Sequence, residues 1–304
     1  MACNKVLSVF RQGLFTNQVA IVTGGGTGIG KAITRELLHL GCKVVIASRK
    51  VERLNQSADE MRQELDKDSP AELLPVQCNI KQQEEVKLLV SSTMEKFGKI
   101  NYLINNGGGQ FYCPVAKMSL KGWNVVVDTN LTGTFQVTQQ VYNAYMKEHG
   151  GSIVNIVLDN GNGMPGMGHS GAARAGIENL SKTLALEWAK DGIRVNNVAP
   201  GTMYSDTAAA NYGEFNIFAE TIPYIPAKRL GTVEEVSAAV SFLLSPAAAF
   251  ITGTTIAVSG GSHLYKNQCF EIPDHDKMPA YTWGKSEKRL LKDAVTGKLS
   301  PVWD

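Results

Sequence analysis

The chain has 304 residues, 43% of them hydrophobic and 19% charged, with a formal net charge of +2. That length holds one large α/β domain or at most two, and so small a net charge gives no reason to expect nucleic acid or a membrane surface as a partner. No uncharged apolar run reaches the ~18 residues needed to span a bilayer. The cysteines, Cys3, Cys42, Cys78, Cys113 and Cys269, are odd in number and lack CxxC spacing. They read as free thiols in a reducing compartment and not as a metal site.

In chain order, residues 1–17 carry Lys5 and Arg11 but no acidic residue. They read either as a weak organelle-targeting segment or as an unstructured tail. The apolar run 19–23 reads as a buried parallel strand. Glycines follow, then a helix with Ile29, Ile33, Leu37 and Leu40 on one side, ended by Gly41. The alternation continues with strand 43–47, polar amphipathic helix 51–65, strand 73–78, helix 84–97 and strand 100–104. Two long helices are predicted around 120–130 and 133–148, then strand 152–157, helix 172–189 and strand 194–198. Helix 233–244 and strand 254–258, closed by Gly260-Gly261, complete the pattern. Repeated βα units predict an α/β domain over 18–262: a single Rossmann-like, doubly wound parallel sheet with helices on both faces. The alternation stops near Ser262. Residues 263–304, with Pro273, Pro279 and Pro301, are expected to pack on the domain or to be partly disordered.

Thr23-Gly24-Gly25-Gly26-Thr27-Gly28-Ile29-Gly30 lies between the first strand and the first helix. Glycines there permit a sharp turn and let the backbone approach a pyrophosphate, with the free N–H groups of the helix N-terminus facing the phosphates. Gly24, Thr27, Gly28, Ile29 and Gly30 are the candidate binding residues; a tight structural turn would use the same glycines. The second strand runs out into Ser48-Arg49-Lys50. A site for NAD usually has an acidic residue here for the ribose 2′-OH. A hydroxyl and two cations suit the 2′-phosphate of NADPH instead. Asn79 and Ile80, after the third strand, are candidates for the adenine, with Asn79 serving equally well as a turn residue. Asn105-Asn106-Gly107-Gly108-Gly109 closes the fourth strand. Gly107 and Gly108 would admit the cofactor ribose, while Asn106 and its neighbour tie adjacent strands together.

These residues resemble the short-chain dehydrogenase/reductase family. The carriers are TGGGTGIG at 23–30, NNGG at 105–108, Asn130 in TNLTGTF, APG at 199–201 and GTTIAVSGG at 253–261. Together they cover about residues 17–262 in the family's order. A further set is similar to the peroxisomal trans-2-enoyl-CoA reductases within that family: VIASRK (45–50), NNGGGQF (105–111), MKEHGGSIVNI (146–156), HSGAARAG (169–176), IPAKR (225–229) and PDHD (273–276). This resemblance implies NADPH-dependent reduction of the double bond of trans-2-enoyl-CoA in fatty-acid metabolism. It also implies Pro200 and Gly201 at the cofactor, a homo-oligomer and a peroxisomal setting. The final Val302-Trp303-Asp304 is not an SKL-type address, which leaves mitochondrial and cytosolic settings open.

Most members of the family use a Tyr-x-x-x-Lys pair. Counting back from Ala175-Gly176, the lysine position holds Arg174 and the tyrosine position Ser170. The usual serine falls on Val157 or Leu158, and Asn130 matches the family's asparagine. Reducing a ketone creates an alkoxide that needs an acid beside it. Reducing an enoyl thioester leaves the charge on an enolate oxygen, which hydrogen-bond donors can stabilise. Ser170 can donate, whereas Arg174 can grip the ribose with fixed charge but cannot titrate. The missing pair therefore speaks against a carbonyl reductase and fits an enoyl reductase. It fits equally a family member that binds NADP(H) without turnover.

Candidates for the proton donor are His169, which titrates near neutrality, and Tyr204, beyond the Pro200-Gly201 turn. Their alternatives are a solvent-facing loop histidine and ordinary packing. Related enoyl reductases resemble one another in a tyrosine one helical turn after the arginine; here that position is Glu178. Residues 203–229 are apolar and aromatic, with Tyr204, Tyr212, Phe215, Phe218 and Tyr224. They are expected to line an acyl chain as a lid, or else to form an oligomer contact or core. Lys228 and Arg229 either meet coenzyme A phosphates or are solvated surface.

Overall fold

The computed structural model describes residues 6–159, 163–205, 217–265 and 271–283. Its elements run β1 (Val19–Thr23), α1 (Gly28–His39), β2 (Lys43–Ser48), α2 (Val51–Gln63), β3 (Leu73–Gln77), α3 (Gln83–Phe97), β4 (Tyr102–Asn105), α4 (Leu120–Val127), α5 (Gly133–Val141), α6 (Lys147–His149), β5 (Gly151–Ile156), α7 (Gly168–Glu187), β6 (Ile193–Pro200), α8 (Ile217–Thr221), α9 (Val233–Leu244) and β7 (Thr255–Val258). The strands form one sheet in the order β3-β2-β1-β4-β5-β6-β7, with every neighbouring pair parallel. The order reverses between β1 and β4. A crevice opens at that point beyond the carboxyl ends of the strands, where both glycine clusters lie.

The central strands β1 and β2 are covered on both faces and largely apolar, and the period-two alternation sorts the strand side chains into two cores. Ala20, Val22, Val44 and Ile46 join Ile33 and Leu37 of α1, Leu54 and Met61 of α2, and Val236 and Val240 of α9. Ile21, Val45, Leu103 and Ile153 face Val86 and Leu89 of α3, Val137 and Val141 of α5, and Leu184 of α7. Each such side chain gains roughly 1.5–3 kcal/mol on burial.

Two expectations are corrected. The two helices predicted around 120–130 and 133–148 are one continuous run: α4 passes through a π-helical turn, Asp128–Thr132, into α5, and through a second, Tyr142–Met146, into α6. Gly133 does not break the helix. Its φ of −63° is helical, and a Cβ there would stand 2.8 Å from Ile80 Cγ1. The glycine serves close packing. Nor is the segment before β1 an unstructured tail over its described part. Phe15 is fully buried, its ring edge-on to Tyr102 at 5.4 Å, and its backbone N–H donates to the Leu40 carbonyl at 2.9 Å. The described part of the C-terminal extension is packed as well, with Trp283 3% exposed beside Val6 and Ala32.

Candidate functional site

The glycine turn has the geometry its sequence requires. Gly24 has a φ of +68°, and a Cβ on Gly30 would stand 2.2 Å from the Gly24 carbonyl oxygen, so no side chain is tolerated at either place. Thr34 Oγ1 donates to the Gly25 carbonyl at 3.2 Å, and Ser57 of α2 donates to the Gly26 carbonyl at 2.8 Å. These bonds tie the turn back against the two helices. Thr27 is the N-cap of α1, but its side chain caps nothing, and no acidic residue occupies the first turn. Among the described residues no side chain caps the amides of Gly28, Ile29 and Gly30, which suits an anion site. Gly26, Thr27 and Gly28 border a cavity of about 400 Å³, with Tyr204, Ser205 and Thr232 among the residues opposite. Lys31, Arg35 and Arg53 line it too, as do Glu60 and Glu234, and its size suits the phosphate portion of a dinucleotide.

The end of β4 is braced to the end of β1. Asn106 Nδ2 donates to the Thr23 carbonyl at 3.0 Å and to that of Gly24 at 3.3 Å. Thr23 Oγ1 in turn accepts from the amides of Asn106 at 3.0 Å and Gly107 at 2.9 Å. Asn105 is buried and joins a polar band across the strands. It donates to Thr138 and Asn155, Asn155 donates to Ser181 and Asn197, and Asn197 donates to Thr255. Ser48 is half-buried and Arg49 and Lys50 are exposed at the end of β2. Asn79 makes turn contacts: its Oδ1 accepts from the Lys81 amide at 3.3 Å, and its backbone N–H donates to Glu85 at 2.7 Å. Ile80 packs beneath Gly133 and near Gly107. Pro200 ends β6 in a buried position. Gly201 donates to the Val258 carbonyl at 3.0 Å, and a Cβ there would stand 2.9 Å from Ser259.

Ser170 and Arg174 do come together. Because α7 starts at Gly168, earlier than predicted, Ser170 lies in its first turn and Arg174 one turn on. Arg174 Nη1 donates to Ser170 Oγ at 2.5 Å, and Ser170 Oγ donates to Gln110 Oε1 at 2.8 Å. Arginine has no acceptor, so the serine oxygen accepts from Arg174 while its hydrogen, without substrate, is directed at the Gln110 carboxamide oxygen. Asn130 sits in the π turn, where the extra residue redirects it out of the α-helical register. Its Oδ1 accepts from the Gly109 amide and its Nδ2 donates to the Gly109 carbonyl, both at 2.9 Å. This two-point clamp places the next residue, Gln110, over Ser170. Gln110 was not among the residues singled out in the sequence. Its local signals are its position directly after Gly107-Gly108-Gly109 and its place in NNGGGQF at 105–111.

His169 is fully buried and does not face solvent. Its Nδ1 accepts from the Ser170 amide at 2.8 Å, and the ring lies edge-on to Phe111 at 4.5 Å. Its Nε2 is buried with no hydrogen-bond partner among the described residues. Tyr204 lines the cavity at the glycine turn, with its ring against Phe218 at 5.4 Å. Val157 and Leu158, where the family's serine would stand, are buried apolar side chains. Burial pushes the Glu178 carboxyl up, Lys182 draws it down, and Asp159 pushes it up again.

Lys228 and Arg229 are not solvated surface, with side chains 8% and 23% exposed. Lys228 donates to the Pro223 carbonyl at 3.0 Å. Arg229 is bound to Glu235 and to the carbonyls of Leu230, Met278 and Pro279. Tyr212 and Phe215 of the expected lid lie outside the described residues. Among the described residues no helix is long and apolar enough to cross a membrane.

Residues 24–263 match a family model described as enoyl-(acyl carrier protein) reductase. The chain is 36% identical over 265 residues to the peroxisomal 2,4-dienoyl-CoA reductase of Danio rerio, covering 86% of each chain. The solved citronellol catabolism dehydrogenase of Pseudomonas aeruginosa PAO1 is 43% identical with a TM-score of 0.74, over 84% of this chain and 99% of that one. An actinorhodin polyketide ketoreductase solved with NADPH is 32% identical with a TM-score of 0.76, over 83% of this chain and all of that one. The chain belongs to the short-chain dehydrogenase/reductase family of oxidoreductases.

Proposed function

We propose that the chain uses NADPH to reduce the double bond of a trans-2-enoyl-CoA to the saturated acyl-CoA. The observation that carries this reading is the hydrogen-bonded chain Arg174–Ser170–Gln110 at the place where the family's carbonyl reductases hold their tyrosine and lysine. A ketone reductase needs an acid to quench an alkoxide, whereas this chain offers a permanently charged guanidinium, a hydroxyl and a carboxamide. It is a set of donors. Addition of a hydride to the β-carbon of an enoyl thioester puts negative charge on the thioester oxygen, and a donor set answers that charge; the enolate then takes a proton at its α-carbon from water, which completes the saturated acyl-CoA.

Gly28, Ile29 and Gly30 would hold the pyrophosphate, and Ser48, Arg49 and Lys50 the 2′-phosphate. Gly107, Gly108 and Arg174 would lie at the nicotinamide ribose, and Pro200 and Gly201 at the nicotinamide. Bound NADPH supplies the hydride; orientation and charge stabilisation are left to the chain. Asn130 clamps Gly109 and so fixes Gln110. Ser170 hands the polarisation of Arg174 to the Gln110 carboxamide, because hydrogen bonds in a chain strengthen one another. Held by its oxygen, the Gln110 carboxamide would turn an Nε2–H to the thioester oxygen when substrate binds. The substrate for which the Danio rerio relative is named, a 2,4-dienoyl-CoA, poses the same problem of charge on a conjugated thioester, and it supports the substrate class. The peroxisomal placement in that relative's name supports a peroxisomal setting here.

The test is NADPH consumption by purified protein with a trans-2-enoyl-CoA, a 2,4-dienoyl-CoA or a 3-oxoacyl-CoA. Consumption with the first is the expected result. Consumption with the 3-oxoacyl-CoA alone assigns ketone reduction instead. Tight NADPH binding with no consumption on any acyl-CoA removes the catalytic reading.

A further inference from the structure

Residues 272–283 lie across the fold as a strap. Trp283 is buried with Val6 and Ala32, and the Arg35 guanidinium lies 5.3 Å from its ring. The Tyr281 hydroxyl donates to the Leu7 carbonyl at 3.3 Å and accepts from the Val9 amide at 3.2 Å and from Trp283 Nε1 at 3.3 Å. The Tyr281 backbone reaches the start of α9: its amide donates to Glu235 Oε1 at 3.3 Å, and its carbonyl accepts from Thr232 Oγ1 at 2.7 Å. Farther back, the carbonyls of Met278 and Pro279 accept from Arg229 at 2.7 and 3.2 Å, and His275 Nε2 bonds the Pro226 carbonyl at 2.9 Å. Arg229 also grips Glu235 through two N–H groups at 3.0 and 2.6 Å. Glu235 in turn closes the capping box of α9 with Thr232. Arg229 and Glu235 are therefore where the strap, the start of α9 and the segment 226–231 meet.

That segment is bonded directly to the nucleotide side of the crevice. The Gly231 amide donates to the Thr202 carbonyl at 3.0 Å, and the Tyr204 amide donates to the Gly231 carbonyl at 3.1 Å. Tyr204, Ser205, Gly231, Thr232 and Val233 form one wall of the 400 Å³ cavity whose other wall is the glycine turn. Ser205 Oγ stands 3.5 Å from where a Cβ on Gly28 would be. We propose that Arg229 is a positioning residue for the nucleotide site: with Glu235 it forms the pivot through which the strap sets residues 202–205 against the glycine turn. The proposal rests on reading that turn as the dinucleotide site. It makes the extension part of the binding wall.

The test uses the full chain with Arg229→Met, Arg229→Lys and Trp283→Ala. It reads NADPH dissociation constant, kcat and KM, and backbone hydrogen exchange without cofactor. Arg229→Met should weaken NADPH about tenfold with kcat nearly unchanged, within the range for substitutions along a coupled network. Exchange should quicken at 202–205 and 226–231 and stay slow in β1 and β4. Arg229→Lys keeps a charge for Glu235 but loses the planar fork, so its effect should fall between wild type and Arg229→Met. Trp283→Ala removes a side chain packed at the far end of the strap, and should give the same pattern even if Arg229→Met fails to fold. Faster exchange confined to 271–283, with 202–205 and NADPH affinity unchanged, overturns the proposal. Faster exchange at 202–205 in a protein that binds no NADPH upholds the pivot and refutes the nucleotide reading instead.

Discussion

Ser170→Ala removes the one hydroxyl that accepts from Arg174 at 2.5 Å and donates to Gln110 at 2.8 Å. The bond from the guanidinium is charge-assisted and worth roughly 1.5–3 kcal/mol, the bond to the carboxamide roughly 0.5–1.5 kcal/mol. If the chain only holds the resting site together, those amounts appear as lost stability and turnover barely moves. If it stabilises charge in the transition state, kcat falls ~10²–10³-fold, as when one oxyanion donor is removed. Gln110→Ala should then cost a similar factor, and the double variant should be no slower than the worse single, because each substitution breaks the same chain. Steady-state NADPH consumption with a trans-2-enoyl-CoA measures kcat, and calorimetric titration with NADPH checks that cofactor affinity is retained. Gln110→Glu sharpens the test. An ionised carboxylate has no donor, whereas a protonated one has a donor and an acceptor like the amide it replaces. Activity of that variant should be low at neutral pH and recover as pH falls through the carboxyl pKa. Losses that add in the double variant, or a Gln110→Glu variant as active as wild type at neutral pH, refute the transition-state role.

Three further outcomes are expected. Arg49→Ala should weaken NADPH about 10–100-fold, the loss of a charge-assisted bond, while NADH binding changes little; equal losses for both cofactors rule out 2′-phosphate recognition. Glu36 is fully buried between α1 and α9, accepts from Ser8 at 2.8 Å and from Ser237, and burial holds its pKa above the usual carboxylate range. The folded state therefore keeps that proton more tightly than the unfolded chain, and the stability so gained is present at low pH and lost as pH rises through the raised pKa. Denaturant midpoints should show wild type losing ground to Glu36→Gln across that window, and parallel profiles would exclude Glu36 as the titrating group. Phe15→Ala should destabilise by about 3–5 kcal/mol in urea unfolding, whereas an unstructured segment would leave stability unchanged.

What was legible in the sequence is what a short window dictates. The turn at 23–30 is readable because positive φ and sub-van-der-Waals approaches at Gly24 and Gly30 admit no other residue. The central strands are readable because burial on both faces demands largely apolar runs. Ser170 and Arg174 are readable as a pair because one helical turn separates them. The rest depends on partners distant in the chain. Nothing near Gln110 says that its side chain will meet residue 170, and the π turn that aims Asn130 at Gly109 follows no local composition rule. Gly133 misleads, since a glycine kept for contact with Ile80 looks the same as one that ends a helix. Phe15 and Trp283 lie in segments whose polar and proline-rich composition hides single buried anchors. Arg229 looks like surface charge until residues 278 and 279 return to it from nearly fifty positions away.

The most direct measurement is where the hydride goes. Turnover with NADPH deuterated at the transferable position of the nicotinamide, followed by mass and NMR analysis of the acyl product, locates the label. Deuterium on C3 of a saturated acyl-CoA formed from trans-2-enoyl-CoA is the predicted result. Label on a carbinol carbon made from a 3-oxoacyl-CoA, with no transfer to the enoyl substrate, would contradict it.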